Sequence, residues 1–93
     1  MSSSDTPVVL STGGGAGIGR AAARRFAAQG ARVVITGRRQ AALEAAVADH
    51  PAIGFVVADA GRAADAARTV QETRRRHGRL DLLVNSARAG AML

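Results

Sequence analysis

The sequence lacks cysteine, tryptophan, tyrosine and lysine, and its only aromatic residues are two phenylalanines. Without cysteine the chain can form no disulfide, no thiol nucleophile and no cysteine-ligated zinc site. No apolar run approaches the roughly 20 residues that span a bilayer, and the polar N-terminus MSSSDTP has no apolar signal region. These absences predict a cytoplasmic protein with no membrane segment and no metal site.

Basic charge comes entirely from arginine, because all 13 basic residues are of that type, against 7 acidic ones, for a net charge of +6. This excess favours anionic partners such as phosphates, nucleotides or nucleic acid. An arginine-rich genome bias would produce the same composition. Nucleic acid is the less favoured partner, because both phenylalanines are placed to be core and no helix-turn-helix pattern is present. The candidate nucleic-acid contacts are Arg74, Arg75, Arg76 and Arg79.

Four short apolar runs alternate with three helical stretches along the chain. The polar residues 1–6 are expected to form a disordered tail, and residues 7–93 one small domain with a thin core. The alternation predicts an α/β fold, a Rossmann-like parallel sheet of right-handed βαβ units with strand order 3-2-1-4. The predicted strands are 8–10, 33–35, 53–57 and 80–84, and the predicted helices are 18–29, 39–49 and 62–77.

The spacing of apolar residues predicts which face of each helix is buried. Ile18, Ala22 and Phe26 recur at every fourth position of the first helix. In the second helix, Leu43 and Val47 lie on one side. The inward residues expected in the third helix are Ala63, Ala66, Ala67 and Val70.

A glycine cluster, TGGGAGIG, joins the first strand to the first helix. Gly13 permits a tight turn, Gly17 lets the main chain approach a diphosphate, and Gly19 lets the helix pack closely on the sheet. The free N–H groups of the first helical turn then face the phosphates. A P-loop is excluded because Arg20 and Ala21 stand where it needs lysine and a hydroxyl, and G-x-G-x-x-G does not fit. The pattern that fits is T-G-x-x-x-G-x-G, with a flexible loop as the alternative.

Three further stretches follow the cluster in order, VVITGRR, VVADA and LDLLVNSARAG. With TGGGAGIG they resemble the short-chain dehydrogenase/reductase family over nearly the whole chain, from Val8 to about Gly90. The resemblance implies a Rossmann-like sheet, an NAD or NADP cofactor, and hydride transfer to or from an alcohol or a carbonyl.

The end of the second strand bears on the choice of cofactor. Gly37 stands where an NAD-preferring site places a carboxylate for the ribose hydroxyls. Arg38 and Arg39 follow, and a guanidinium can hold a 2′-phosphate through two parallel hydrogen bonds. We therefore predict NADP, with NAD less favoured and Arg38 the main contact. Against this, Ala16 stands where NADP-preferring members often carry a second basic residue, and the arginines could instead be a solvated helix start.

The resemblance also assigns roles at the ends of the third and fourth strands. Asp59 would accept a hydrogen bond from the adenine amine and Ala60 would pack on the ring, while the alternative for Asp59 is the N-cap of the third helix. Asn85 matches the family's Asn-Asn-Ala-Gly, whereas Ser86 and Arg88 depart from it, and Arg88 either holds a phosphate or obstructs the pocket. The predicted cofactor-binding residues are Gly13, Gly15, Gly17, Ile18, Gly19, Arg38, Arg39, Asp59, Ala60, Asn85 and Ala87.

The family's proton transfer needs a tyrosine, a lysine that lowers the tyrosine pKa, and a serine that orients the substrate. The chain has no tyrosine and no lysine, Ser86 lies in the wrong segment, and neither His50 nor His77 is expected to be catalytic. We expect a truncated NADP(H)-binding portion that is inactive alone. The alternative is a remnant or a small basic module that binds nucleic acid or other phosphates without catalysis. The fourth strand would be an open edge, which predicts self-association or marginal stability unless another chain supplies the rest of the sheet.

Overall fold

The structure, a computed structural model, describes residues 6–12, 17–59 and 61–85, with the main chain alone for residues 17, 18 and 85. All the described strands pair in parallel, in the order β3-β2-β1-β4, so the predicted Rossmann-like architecture is confirmed. Most of the predicted N-terminal tail lies outside the described residues. The elements are β1 (Val8–Thr12), α1 (Gly17–Ala28), β2 (Arg32–Gly37), α2 (Gln40–Val47), β3 (Ile53–Val57), α3 (Ala63–His77) and β4 (Leu82–Asn85).

The helices cover opposite faces of the sheet. The chain steps in one direction from β1 to β3 and then crosses back to β4, so right-handed connections place α1 and α2 on one face and α3 on the other. Alternate residues along each strand divide the core into two clusters accordingly. The α1–α2 cluster includes Val9, Val33, Ile35, Leu43 and Ile53, and the α3 cluster includes Leu10, Val34, Val56, Ala58 and Val70.

The buried stripe of α1 differs by one position from the prediction. Ala23 is buried and Gly19 lies one turn before it, whereas Ala22 and Phe26 are half-buried. The side chain of Ile18 lies outside the described set. Small residues, Gly19 and Ala23, are therefore the buried positions of this helix, while Phe26 packs against the edge of the core.

The predicted inward face of α3 is right for Val70, which packs on the core, but not for Ala63, Ala66 and Ala67, which are exposed. Thr69 and Thr73 are buried against the sheet and Val70 is half-buried. Each threonine hydroxyl donates to the carbonyl four residues earlier, at 2.8 Å, so the methyl groups can face the core with no unpaired donor. The helix therefore turns its threonines inward and leaves exposed Ala63, Ala66 and Ala67.

The two edge strands of the described sheet differ in protection. Guanidinium groups from α3 cover the outer carbonyls of β3, with Arg68 Nη2 donating to Val57 O at 3.0 Å and Arg76 Nη1 to Phe55 O at 3.2 Å. At the other edge, Leu82 is 43% exposed and Leu83 is 53% exposed, and no described strand lies beyond β4. The open β4 edge anticipated from the sequence is thus a feature of the described residues.

Candidate functional site

The four strands run in the same direction, so their carboxyl ends meet at one edge of the sheet. In register, Thr12 of β1 lies between Thr36 of β2 and Asn85 of β4. This edge therefore brings together the start of α1, the arginines after β2 and Asp59 after β3. Four of the predicted site residues, Gly13, Gly15, Ala60 and Ala87, lie outside the described residues.

The first turn of α1 begins at Gly17, where the sequence pattern predicted a diphosphate contact. No acidic residue occupies this turn, so nothing in it offsets the partial positive charge of the helix N-terminus. Gly19 is buried within the same turn. The helix therefore presents main-chain amides at the carboxyl edge of β1, which is an arrangement suited to an anion.

Gly37 lies at the end of β2 because there is little room for a side chain. A Cβ at this position would lie 3.3 Å from Leu43 Cδ2, and Leu43 is only 1% exposed. A side chain here would require the core leucine to shift by a few tenths of an ångström. Arg38 and Arg39 follow with exposed side chains, and neither forms an ion pair within the described ranges. The positive charge at this corner of the sheet is therefore uncompensated.

Asp59 forms a turn after β3 and does not act as the N-cap of α3. Its Oδ1 accepts a hydrogen bond from the Gly61 N–H at 2.9 Å, and the α3 N-cap position belongs to Arg62, which makes no side-chain cap bond. The Asp59 N–H donates to Asp65 Oδ2 at 2.7 Å, and this bond is the main reason that the pKa of Asp65 lies below its usual value. The turn orients the Asp59 carboxylate at the edge and gives one of its two oxygens a partner among the described residues.

A cavity of about 110 Å³ lies beside these residues on the α3 face. Thr36 faces it with a hydroxyl that is buried and has no hydrogen-bond partner among the described residues. Thr36 was not among the predicted site residues, although a lone hydroxyl before Gly37 in an apolar strand is a signal that the sequence offers. The cavity lining comprises Leu10, Thr12, Thr36, Ala58, Ala66, Thr69, Val70 and Leu83.

The junction of β1 and β4 lies at the centre of this edge. Thr12 and Asn85 are partners in register, and Thr12 Oγ1 donates to Val84 O at 3.4 Å. The predicted side-chain role of Asn85 in tying the strands together stays a prediction.

Other kinds of site have less support in the described residues. Both histidines lie at the opposite, amino edge, His50 before β3 and His77 at the end of α3. In the described part of the chain, no group of three or more potential ligands is arranged to hold a metal, and no helix is long and apolar enough to cross a membrane. The cytoplasmic location stays a prediction.

Comparisons with known proteins agree with this architecture. The family model described as short chain dehydrogenase matches residues 7–92. L-fucose dehydrogenase of Bos taurus is 44% identical over 80 residues, which cover 86% of this chain and 30% of that enzyme.

Two solved structures share the fold. The 3-ketoacyl-(acyl-carrier-protein) reductase of Brucella melitensis, complexed with NADH, superposes with a TM-score of 0.78 at 37% identity, covering 83% of this chain and 32% of that one. Actinorhodin polyketide ketoreductase, here an F189W variant with NADPH, gives a TM-score of 0.85 at 28% identity, covering 92% of this chain and 34% of that one.

The chain spans about a third of the length of the relatives that it matches. The match to the family model, however, extends over nearly all of its own residues, from the start of β1 to beyond β4. The chain belongs to the short-chain dehydrogenase family.

Proposed function

We propose that this chain is the NADP(H)-binding portion of a short-chain dehydrogenase/reductase. The observation that carries the proposal is the corner after β2, where Gly37 packs on Leu43 and two exposed arginines follow. In such an enzyme the nicotinamide would exchange a hydride with an alcohol or carbonyl substrate. The residues of this chain would bind and orient the cofactor at the carboxyl edge of the sheet.

The preference for NADP over NAD follows from charge and space. A carboxylate at residue 37 would repel a 2′-phosphate, and the contact with Leu43 disfavours any side chain there. Arg38 and Arg39 carry charge that no described residue neutralises, and the first turn of α2 contains no acidic residue. A charge-assisted hydrogen bond contributes about 1.5–3 kcal/mol, which corresponds to roughly a ten- to hundred-fold preference for the phosphorylated cofactor.

The remaining parts of the cofactor fit the same edge. The diphosphate would lie on the amides at the start of α1, beside Gly17, Ile18 and Gly19. The adenine amine would donate to the Asp59 carboxylate, whose orientation is set by its bond from Gly61. In this proposal Gly13, Gly15, Ala60, Asn85 and Ala87 complete the contacts.

Binding measurements with the 93-residue chain test the proposal. Calorimetric titration should show NADPH binding about ten-fold or more tightly than NADH. Arg38→Ala should remove most of that preference by weakening NADPH alone. Arg24→Ala removes the same charge from an exposed position of α1 and serves as the matched control. Equal affinity for the two cofactors on a folded sample would contradict the proposal.

We propose further that the chain does not catalyse hydride transfer alone, because it contains neither tyrosine nor lysine. NADPH should bind without being oxidised in the presence of small carbonyl compounds. Steady oxidation by the purified chain would contradict this part. The competing function, a basic module for nucleic acid, predicts tight duplex binding with a steep salt dependence, which we do not expect.

We also propose that β4 is an association edge. Its leucines are exposed on both faces of the sheet, whereas the β3 edge is covered by Arg68 and Arg76. Exposed edge strands with apolar side chains pair readily with other chains. The partner in this proposal is a second copy of the chain.

A further inference from the structure

A second cavity, of about 260 Å³, lies at the amino edge of the sheet, opposite the candidate cofactor site. It forms where β1 and β2 begin and α3 ends, so it shares no residue with the carboxyl-edge cavity. Its lining is polar and basic and contains no carboxylate among the described residues. The lining residues are Thr6, Val8, Arg32, Arg76 and His77.

The two arginines of this cavity are placed by different elements. Arg32 is the first residue of β2, and its N–H donates to Pro7 O at 2.9 Å, which holds its main chain beside β1. Its side chain has no ion-pair partner among the described residues. Arg76 is oriented from α3 by two bonds, Nε to Glu72 Oε2 at 2.8 Å and Nη1 to Phe55 O at 3.2 Å. Its Nη2 group has no hydrogen-bond acceptor among the described residues.

The nearby carboxylates are already engaged. Glu72 accepts from Arg75 and Arg76, and these bonds lower its pKa to about 2. Asp81 accepts from Arg79 at 2.9 and 2.7 Å and from the Val8 N–H at 2.8 Å, and the same bonds hold its pKa below the usual value. Arg75, Arg76 and Arg79 share these two carboxylates, and Arg32 has no ion-pair partner among the described residues, so the region around the cavity has an excess of positive charge.

The pKa of His77 reflects this excess of positive charge. Its pKa lies below the usual value because the ring is partly buried and because Arg32 and Arg76 repel the imidazolium. A helix C-terminus normally favours a cation. Here the opposing effects of burial and the two arginines prevail over the helix dipole.

We propose that this amino-edge cavity binds a small tetrahedral oxyanion, phosphate or sulfate, between Arg32 and Arg76. An anion there would offset the repulsion from both guanidinium groups, so protonation of His77 would become easier. By linkage, the protonated ring would in turn strengthen anion binding. Binding therefore tightens as the pH falls through the range in which His77 titrates. The site is independent of the proposed cofactor function.

Titration of the 93-residue chain with inorganic sulfate tests the site, because the charge of sulfate is constant between about pH 5.5 and 8. The histidine ring signals in NMR spectra provide the readout, with His50 as an internal reference that does not line the cavity. Sulfate should shift the His77 signals, raise the His77 pKa and bind more tightly at the lower pH. Inorganic phosphate should shift the same His77 signals, but its own protonation in this pH range opposes the tightening expected at the lower pH.

Two variants separate a defined site from diffuse attraction. Arg32→Gln should weaken sulfate binding about ten-fold, the value of one charge-assisted hydrogen bond, and should leave NADPH binding unchanged. Arg74→Gln, an exposed arginine of α3 outside the cavity, should change sulfate affinity less than about two-fold. His77→Gln should abolish the pH dependence.

Three results would overturn the proposal. One is equal weakening by Arg32→Gln and Arg74→Gln, which means general attraction to a basic surface. Another is an unmoved His77 signal on a sample whose folding is verified by circular dichroism. The third is a short DNA duplex that shifts the His77 signals at far lower concentration than sulfate with a steep salt dependence, which indicates a polyanion surface.

Discussion

Buried hydroxyl groups in this protein differ in how they are satisfied. Thr73 is fully buried, and its Oγ1 donates to Thr69 O within α3. Thr36 and Ser11 are equally buried in the sheet, but their hydroxyls have no partner among the described residues. An unsatisfied buried hydroxyl costs about 1–3 kcal/mol. Thr36 lines the carboxyl-edge cavity, and its buried, unpartnered hydroxyl lowers the stability of the protein.

Thr36→Val should stabilise the protein by about 1 kcal/mol, because valine keeps the shape and removes the unpaired hydroxyl. Thr73→Val is the matched control and should be neutral or destabilising, since it removes a bond that is made. Urea denaturation monitored by circular dichroism measures both changes. A loss of stability in Thr36→Val would mean that water in the cavity already satisfies the hydroxyl.

At the scale of the elements, α1 and α3 each end at a glycine whose backbone has a positive φ. After α1, Gly30 has φ +96°, its N–H donates to Ala27 O, and the Ala31 N–H donates to Phe26 O. These two bonds form a Schellman motif, which turns the chain into β2. Gly78 ends α3 with φ +79° and donates to Arg74 O at 2.7 Å. Glycine after an apolar helical stripe is the usual sequence signal for this turn.

Gly30→Ala should destabilise the protein by about 1 kcal/mol, because alanine pays a steric cost at positive φ. No atom of the described residues lies within 4 Å of the added Cβ, so the effect would come from the backbone. Gly54→Ala in β3 is the control, since its φ is not positive and its Cβ would make an ordinary 3.5 Å contact with Arg76 Nη1. Thermal unfolding of the two variants compares them, and an equal loss at both positions would contradict this account.

At the scale of the whole molecule, one edge of the sheet is covered by arginines of α3, and the other, β4, has no strand beyond it among the described residues. Arginine side chains of α3 donate hydrogen bonds to main-chain carbonyls of β3, whereas β4 exposes leucine side chains on both faces of the sheet. A net charge of +6 opposes association between copies, so salt should favour it by screening.

Leu83→Glu should lower the degree of self-association at a given concentration, because it places a charge on the β4 edge. Val57→Glu is the matched control at the covered β3 edge, where Val57 is 38% exposed. Sedimentation velocity over a range of concentrations and salt measures both variants. Equal effects of the two substitutions, or a monomeric parent chain at high concentration, would contradict a specific β4 interface.

The order of elements, the parallel sheet and the gathering of candidate ligand contacts at one edge followed from the sequence, because apolar runs, glycines and the right-handed connection rule are local signals. The rotations of α1 and α3 did not follow, because the choice between an alanine face and a threonine face depends on how closely a helix approaches the sheet. The basic cavity could not be predicted from the sequence either, because Arg32 and His77 are 45 positions apart. They meet only because α3 ends where β2 begins, and that proximity is a property of the folded sheet.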